Sequence, residues 1–177
     1  ILSTSIELFD NPVEIFLEPA ITDFPLISNQ ISKSSIKNTQ LKLRCGGVIP
    51  EAFLSSKTIA SVLSNCKNTG IKLKFTAGLH HPLRHFNEQM GTKMHGFVNV
   101  FGAALLFYAN KIDDVNLIEA LEDENPHNFK FKNSSFSWKN TSLSVEEMAV
   151  LREEALLSYG SCSFNEPRGG LRNLGWM

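Results

Sequence analysis

Three short segments constrain the fold more than any other part of the chain: PVEIFLEP (residues 12–19), QLKLRCGG (40–47) and IKLKFTAG (71–78). Each alternates apolar and polar residues, the period of a β-strand, in which successive side chains point to opposite faces. In the first, Val13, Ile15 and Leu17 share one face and Glu14, Phe16 and Glu18 the other. In the second, Leu41, Leu43 and Cys45 oppose Lys42 and Arg44; in the third, Ile71, Leu73, Phe75 and Ala77 oppose Lys72, Lys74 and Thr76. Strands buried on both sides would be nearly continuous Val, Ile and Leu. These segments instead predict a sheet with one packed face and one charged face. The charged face is either solvated or lines a polar cavity.

Helical patterns separate the strands. A short helix is expected near DFPLISNQIS, after the first strand. PEAFLSSKTIASVLSNCKNTG (50–70) predicts a longer one, with Pro50 in its first turn, Phe53, Ile59, Val62, Leu63 and Cys66 on one face, and Gly70 at its end. HGFVNVFGAALLFYAN (95–110) is the most apolar helix, and DDVNLIEALEDE (113–124) is a short amphipathic one. FKFKNSSFSW (129–138) predicts a fourth strand, LSVEEMAVLREEALLSYG (143–160) a helix capped by Ser144 and Glu147, and SCSFNEP (161–167) a last strand or turn. Strand and helix in alternation define an α/β fold of parallel βαβ units. With four or five strands in 177 residues, the expectation is a single domain with either an open sheet or part of a (β/α) barrel, since a full barrel typically takes about 250 residues. The chain starts at Ile1, which fits the C-terminal part of a longer protein.

Composition narrows the functions. The net charge is -1, from 17 basic and 18 acidic residues, which argues against nucleic acid or an anionic membrane as a partner. The Phe and Lys residues interleaved at 129–139 are read as an amphipathic strand. The longest apolar run, GFVNVFGAALLFYA, is too short and too interrupted to span a bilayer. Three cysteines without CxxC spacing point away from disulfides and a cysteine-rich zinc site, and toward a reducing, cytoplasmic location. Cys45 is expected in the core, whereas Cys66 and Cys162 have no evident partner.

Charge and glycine gather at the strands' carboxyl ends, where α/β proteins bind ligands. Arg44, Gly46 and Gly47 form a candidate anion cradle in front of a helix, with Arg44 offering a bidentate contact. A tight turn is the plainer account of the two glycines. Lys74 is a candidate for Schiff-base chemistry on a carbonyl substrate, the plainer alternative being an ion pair with Glu18 or Glu14. The loop TAGLHHPLRH carries His80, His81 and His85, and one of the two adjacent histidines should turn inward for acid–base work. Thr76 lies beside Lys74, while Asn99 lies one turn beyond His95 on the same helical face. A metal site would need His80 or His81 to converge with His85, His95 and Glu18, and no recognised ligand spacing is present, so it is the lesser reading. Ser161, Ser163, Asn165 and Glu166 could line the same pocket. The sequence leaves the cofactor open.

KLRCGG, KFTAGLHHP and HGFVN, in this order and with these gaps, resemble an uncharacterised protein family over about residues 40–105, with GSCSFNEP as a further match. The resemblance implies no activity and assigns no residue a role; it fits a longer parent chain. Two functions stand side by side. One is a barrel-type enzyme, a lyase or a relative, in which Arg44, Gly46, Gly47, Thr76 and Asn99 bind a small anionic molecule. Glu18, Lys74 and His80 or His81 would then do acid–base or lysine carbonyl chemistry. The other is a non-catalytic α/β module whose polar face meets a ligand, a second copy or an N-terminal portion.

Overall fold

The computed structural model describes residues 13–34 and 38–177; Pro12, at the edge of the first predicted strand, lies outside them. In chain order come β1 (Ile15–Leu17), α1 (Phe24–Lys33), β2 (Thr39–Arg44), α2 (Ser56–Thr69) and β3 (Leu73–Thr76). A hairpin, β4 (His85–Asn87) and β5 (Thr92–Met94), leads to helices α3 (Phe97–Tyr108) and α4 (Asp114–Glu122). The meander β6 (Phe129–Lys132), β7 (Ser135–Trp138) and β8 (Thr141–Ser144) follows. The last elements are α5 (Val145–Glu154), β9 (Leu156–Gly160) and α6 (Asn165–Asn173).

The centre is a parallel sheet in the order β1-β2-β3-β9. Its register fixes which side chains share a face. Leu41 lies opposite Leu73, Lys42 opposite Lys74, Leu43 opposite Phe75 and Arg44 opposite Thr76. Between β3 and β9 the register shifts after Leu73, which pairs with Leu156, whereas Lys74 pairs with Ser158. Leu157 is the extra residue of this bulge, and it lets Leu156 and Tyr159 both join the apolar face. On that face Leu41, Leu43, Leu73, Phe75 and Leu156 are fully buried, in one core with Ile59 and Leu63 of α2, Leu106 of α3 and Leu121 of α4. Burying one such side chain is worth roughly 1.5–3 kcal/mol, so the apolar alternation determines which way the sheet faces. Among the described residues β1 pairs only with β2 and β9 only with β3, so both edges of the sheet are open.

Several boundaries differ from the pattern in the sequence. The helix expected over 50–70 starts at Ser56, because Ser55 is extended and its hydroxyl accepts the Thr58 N–H; Pro50–Ala52 is a separate 3₁₀ turn. Gly70, at φ +67°, ends that helix as expected. The helix expected over 143–160 begins on its predicted capping box but stops at Glu154; the rest, LLSYG, is β9. A short apolar run suits a buried strand as well as a helix, and here Leu156 is needed opposite Leu73. The fourth strand expected at 129–138 folds into the antiparallel meander, outside the parallel sheet. The last expected strand or turn runs into α6, which contains Pro167, Gly169 and Gly170. Among the described residues, no helix is long and apolar enough to cross a membrane.

Candidate functional site

The charged face of the sheet holds Glu18, Lys42, Arg44, Lys74 and Thr76, as strand parity requires. Its ion pairs differ from the simplest expectation. Glu18 is taken by Lys42, with Nζ 2.8 Å from Oε2, and more loosely by Arg44, with Nη1 3.8 Å from Oε1. Lys74 pairs with neither Glu18 nor Glu14. Its ammonium lies 5.0 Å from the centroid of the Phe16 ring, and it makes no ion pair or hydrogen bond among the described residues. The register explains this: Lys42 stands between Glu18 and Lys74 and takes up the carboxylate first. Next to Lys74, the Thr76 hydroxyl is buried without a hydrogen-bond partner. Such a group is costly unless something else satisfies it.

The two glycines after β2 have a packing role. A Cβ on Gly46 would lie 2.5 Å from the Phe53 ring and 3.0 Å from the Cα of Gly78, and one on Gly47 would lie 2.7 Å from the Cβ of Ala52. They let the ends of β2 and β3 close over the 3₁₀ turn. The helix beyond begins at Ser56 with its own serine cap, so the glycines do not lead into a helix N-terminus. The cradle reading of Gly46 and Gly47 loses that support, while Arg44 remains exposed at the strand end.

The adjacent histidines turn to different neighbours. His80 Nδ1 lies 3.1 Å from Ser161 Oγ and 3.2 Å from Glu166 Oε2. The Cys162 sulfur is 3.8 Å from both ring nitrogens of His80. Ser161 directly follows β9, whose Gly160 is paired with Thr76, so these groups meet at the carboxyl ends of β3 and β9. Ser161 and Glu166 thus meet at His80. Ser163 supports them by accepting the Glu166 N–H, whereas Asn165 is exposed and makes no contact with His80. Cys162 was not foreseen beside a histidine. Its place follows from LLSYG forming the strand next to β3. His81 packs edge-on against His85, with ring centroids 4.3 Å apart. Burial first, and then the charge of His85, hold its pKa below the usual histidine value. His85 Nδ1 donates to the Leu83 carbonyl, and its Nε2 is buried without a partner.

Asn99 and His95 serve the scaffold. The Asn99 side-chain carbonyl accepts the Arg84 N–H at 2.8 Å, and its amide donates to the carbonyls of Ala120 at 2.8 Å and Asp123 at 2.7 Å. With its amide hydrogens both used and no exposed surface, Asn99 is removed from the substrate-binding set. His95 donates from Nε2 to the Leu54 carbonyl at 2.8 Å, and its Nδ1 lies 3.4 Å from the Arg84 guanidinium. Both nitrogens are engaged, so His95 is not free to bind a metal. Among the described residues no group of three His, Cys, Asp or Glu side chains is placed to hold one. Cys45 and Cys66 are buried, and burial pushes both thiols up to about 12; Cys162 is exposed.

His95 also makes stability depend on pH. Burial is the main reason its pKa lies below 6.5; the Leu54 hydrogen bond opposes this, and Arg84 adds to it. The folded state keeps the ring neutral while the unfolded chain takes up a proton near pH 6.5. Its contribution is therefore fully present above about pH 6.5 and is lost as pH falls toward the lower folded value, by at most about 1.4 kcal/mol per pH unit. The urea midpoint should be lower at about pH 5 than at about pH 7.5, and His95→Asn should reduce that difference. Equal midpoints at both pH values would contradict this.

The sheet, the strand-end charges and the His80 cluster together define a mixed α/β protein with a candidate site at the carboxyl ends of parallel strands. Compared with models of known protein families, with curated proteins and with solved structures, the chain matches none of them.

Proposed function

We propose that the protein is an enzyme acting on a small anionic substrate at the carboxyl ends of its parallel strands. Arg44 and Lys74 attract the anion, Lys74 engages a substrate carbonyl, and His80 moves protons while Ser161 and Glu166 hold its ring. The observation that carries this reading is that Lys74, which rests against the Phe16 ring, has no counter-ion among the described residues. On a face where Glu18 is shared by Lys42 and Arg44, Lys74 is left without a counter-ion, beside an unsatisfied Thr76 hydroxyl. A bound carboxylate or phosphate would supply the counter-ion that Lys74 lacks. The run β1, α1, β2, α2 and β3, with neighbouring parallel strands and the core on one face only, matches successive units of a (β/α) barrel and supports that part of the reading. In that reading the charged face looks inward. The three unpaired thiols suit a reducing, cytoplasmic setting.

Calorimetric titration with phosphate and with pyruvate tests the binding step. At least one should bind, and Lys74→Gln should weaken it by about tenfold, the worth of one charge-assisted contact. Absence of binding by both, or full affinity in Lys74→Gln, would contradict the reading. The second reading, a non-catalytic module, draws on the two open sheet edges and the uncovered charged face. It requires a stable assembly across that face, visible by light scattering.

A further inference from the structure

A concave site lies on the opposite, apolar side of the sheet. A cavity of about 330 Å³ opens between α3, the meander, α5 and β9. Its wall is largely aromatic: Phe97, Phe101, Phe136 and Tyr159, with Met148 from α5. The Phe97 and Tyr159 rings stack with centroids 4.9 Å apart. Gly102 admits the Phe136 ring, since a Cβ there would lie 2.5 Å from it. Two cations, Lys132 and Arg152, also line the space, and no carboxylate does. Of the other lysines in this half of the chain, Lys93 pairs with Glu124, Lys111 with Glu147 and Lys139 with Glu119, while Lys130 makes no ion pair among the described residues. The side chains of Lys132 and Arg152 make no ion pair or hydrogen bond among the described residues. The Arg152 guanidinium lies 5.8 Å from the centroid of the Phe101 ring. The Tyr159 hydroxyl likewise makes no hydrogen bond among these residues.

We propose that this cavity binds a medium-chain monocarboxylate, its hydrocarbon along the aromatic wall and its head group between Lys132 and Arg152. Ligand sites combine an apolar enclosure of roughly 300–1,000 Å³ with a few polar groups that fix orientation, and this cavity sits at the small end of that range. A short chain with one anionic head matches both the size and the charge of the lining. The site is independent of Lys74 on the other face, so its failure would leave the proposed enzymatic site untouched.

The test is calorimetric titration of the whole chain with hexanoate, octanoate, 1-octanol and octylammonium. Octanoate should bind more tightly than hexanoate, by about fourfold for each buried methylene. It should also bind more tightly than octylammonium. The double variant Lys132→Gln/Arg152→Gln changes exposed side chains and so spares the core; it should weaken octanoate by about tenfold or more and leave 1-octanol unchanged. Met148→Trp, which fills the cavity, should abolish binding of both. The proposal is overturned if octanoate does not bind, if octylammonium binds as well as octanoate, or if the double variant keeps the affinity of the unaltered protein.

Discussion

Replacing Asn99 with leucine is expected to destabilise the fold by about 3–4 kcal/mol, a large part of the ~5–15 kcal/mol typical of a whole domain. Leucine is close to asparagine in size, so shape is not the main loss. The side chain satisfies three backbone groups at once: the Arg84 N–H and the carbonyls of Ala120 and Asp123. All three would be left in or next to the core without partners, at about 1–3 kcal/mol each before relaxation. These groups tie the histidine loop to α3 and to the end of α4, so the loop should loosen before the sheet does. Urea unfolding would give the magnitude, and amide exchange at Arg84 the location. A loss below about 1 kcal/mol would show that the three groups find other partners.

Lys74→Ala should have the larger effect on activity. If the Lys74 amine adds to a substrate carbonyl, the carbinolamine loses water to give an iminium, and alanine removes that step altogether. Removing a covalent nucleophile commonly costs on the order of 10⁴-fold or more in turnover. Lys74→Arg separates chemistry from charge. Arginine keeps the positive charge and can hold the anion, but it does not form the iminium. It should therefore bind an oxo acid within a few-fold of the unaltered protein and still fail to turn it over. Turnover by Lys74→Arg would reduce Lys74 to an electrostatic role.

Much of this site is legible in strand alternation. Parity alone separates Lys42, Arg44, Lys74 and Thr76 from Leu41, Leu43, Leu73 and Phe75, because burying a leucine row fixes the face of a sheet. The pairing of charges is not legible there, since it depends on register: Glu18 reaches Lys42 and Arg44 because β1 pairs with β2 three residues ahead of its end. The neighbour of β3 was hidden for a different reason. LLSYG continues a helical pattern in the sequence, and only its match to Leu73 and Phe75 makes it a strand. With it were hidden Cys162 beside His80 and the meander that separates β3 from β9. Asn99 and His95 show the opposite failure. Polar residues at a helix start suggested a site, but their hydrogen bonds close on the backbone of Leu54, Arg84, Ala120 and Asp123, where the histidine loop packs tightly on α3. At Gly96 that packing is so close that a Cβ would lie 2.2 Å from the Pro82 carbonyl oxygen.

Whether Lys74 forms an iminium with a substrate carbonyl is tested by chemical trapping. The protein is incubated with pyruvate or glyoxylate, reduced with borohydride, digested, and mapped by mass spectrometry. One reduced adduct is expected, on Lys74, absent from Lys74→Arg and suppressed by excess phosphate, which competes for the same cationic face. No adduct with either oxo acid, or label spread equally over the exposed lysines and unchanged in Lys74→Arg, would contradict it.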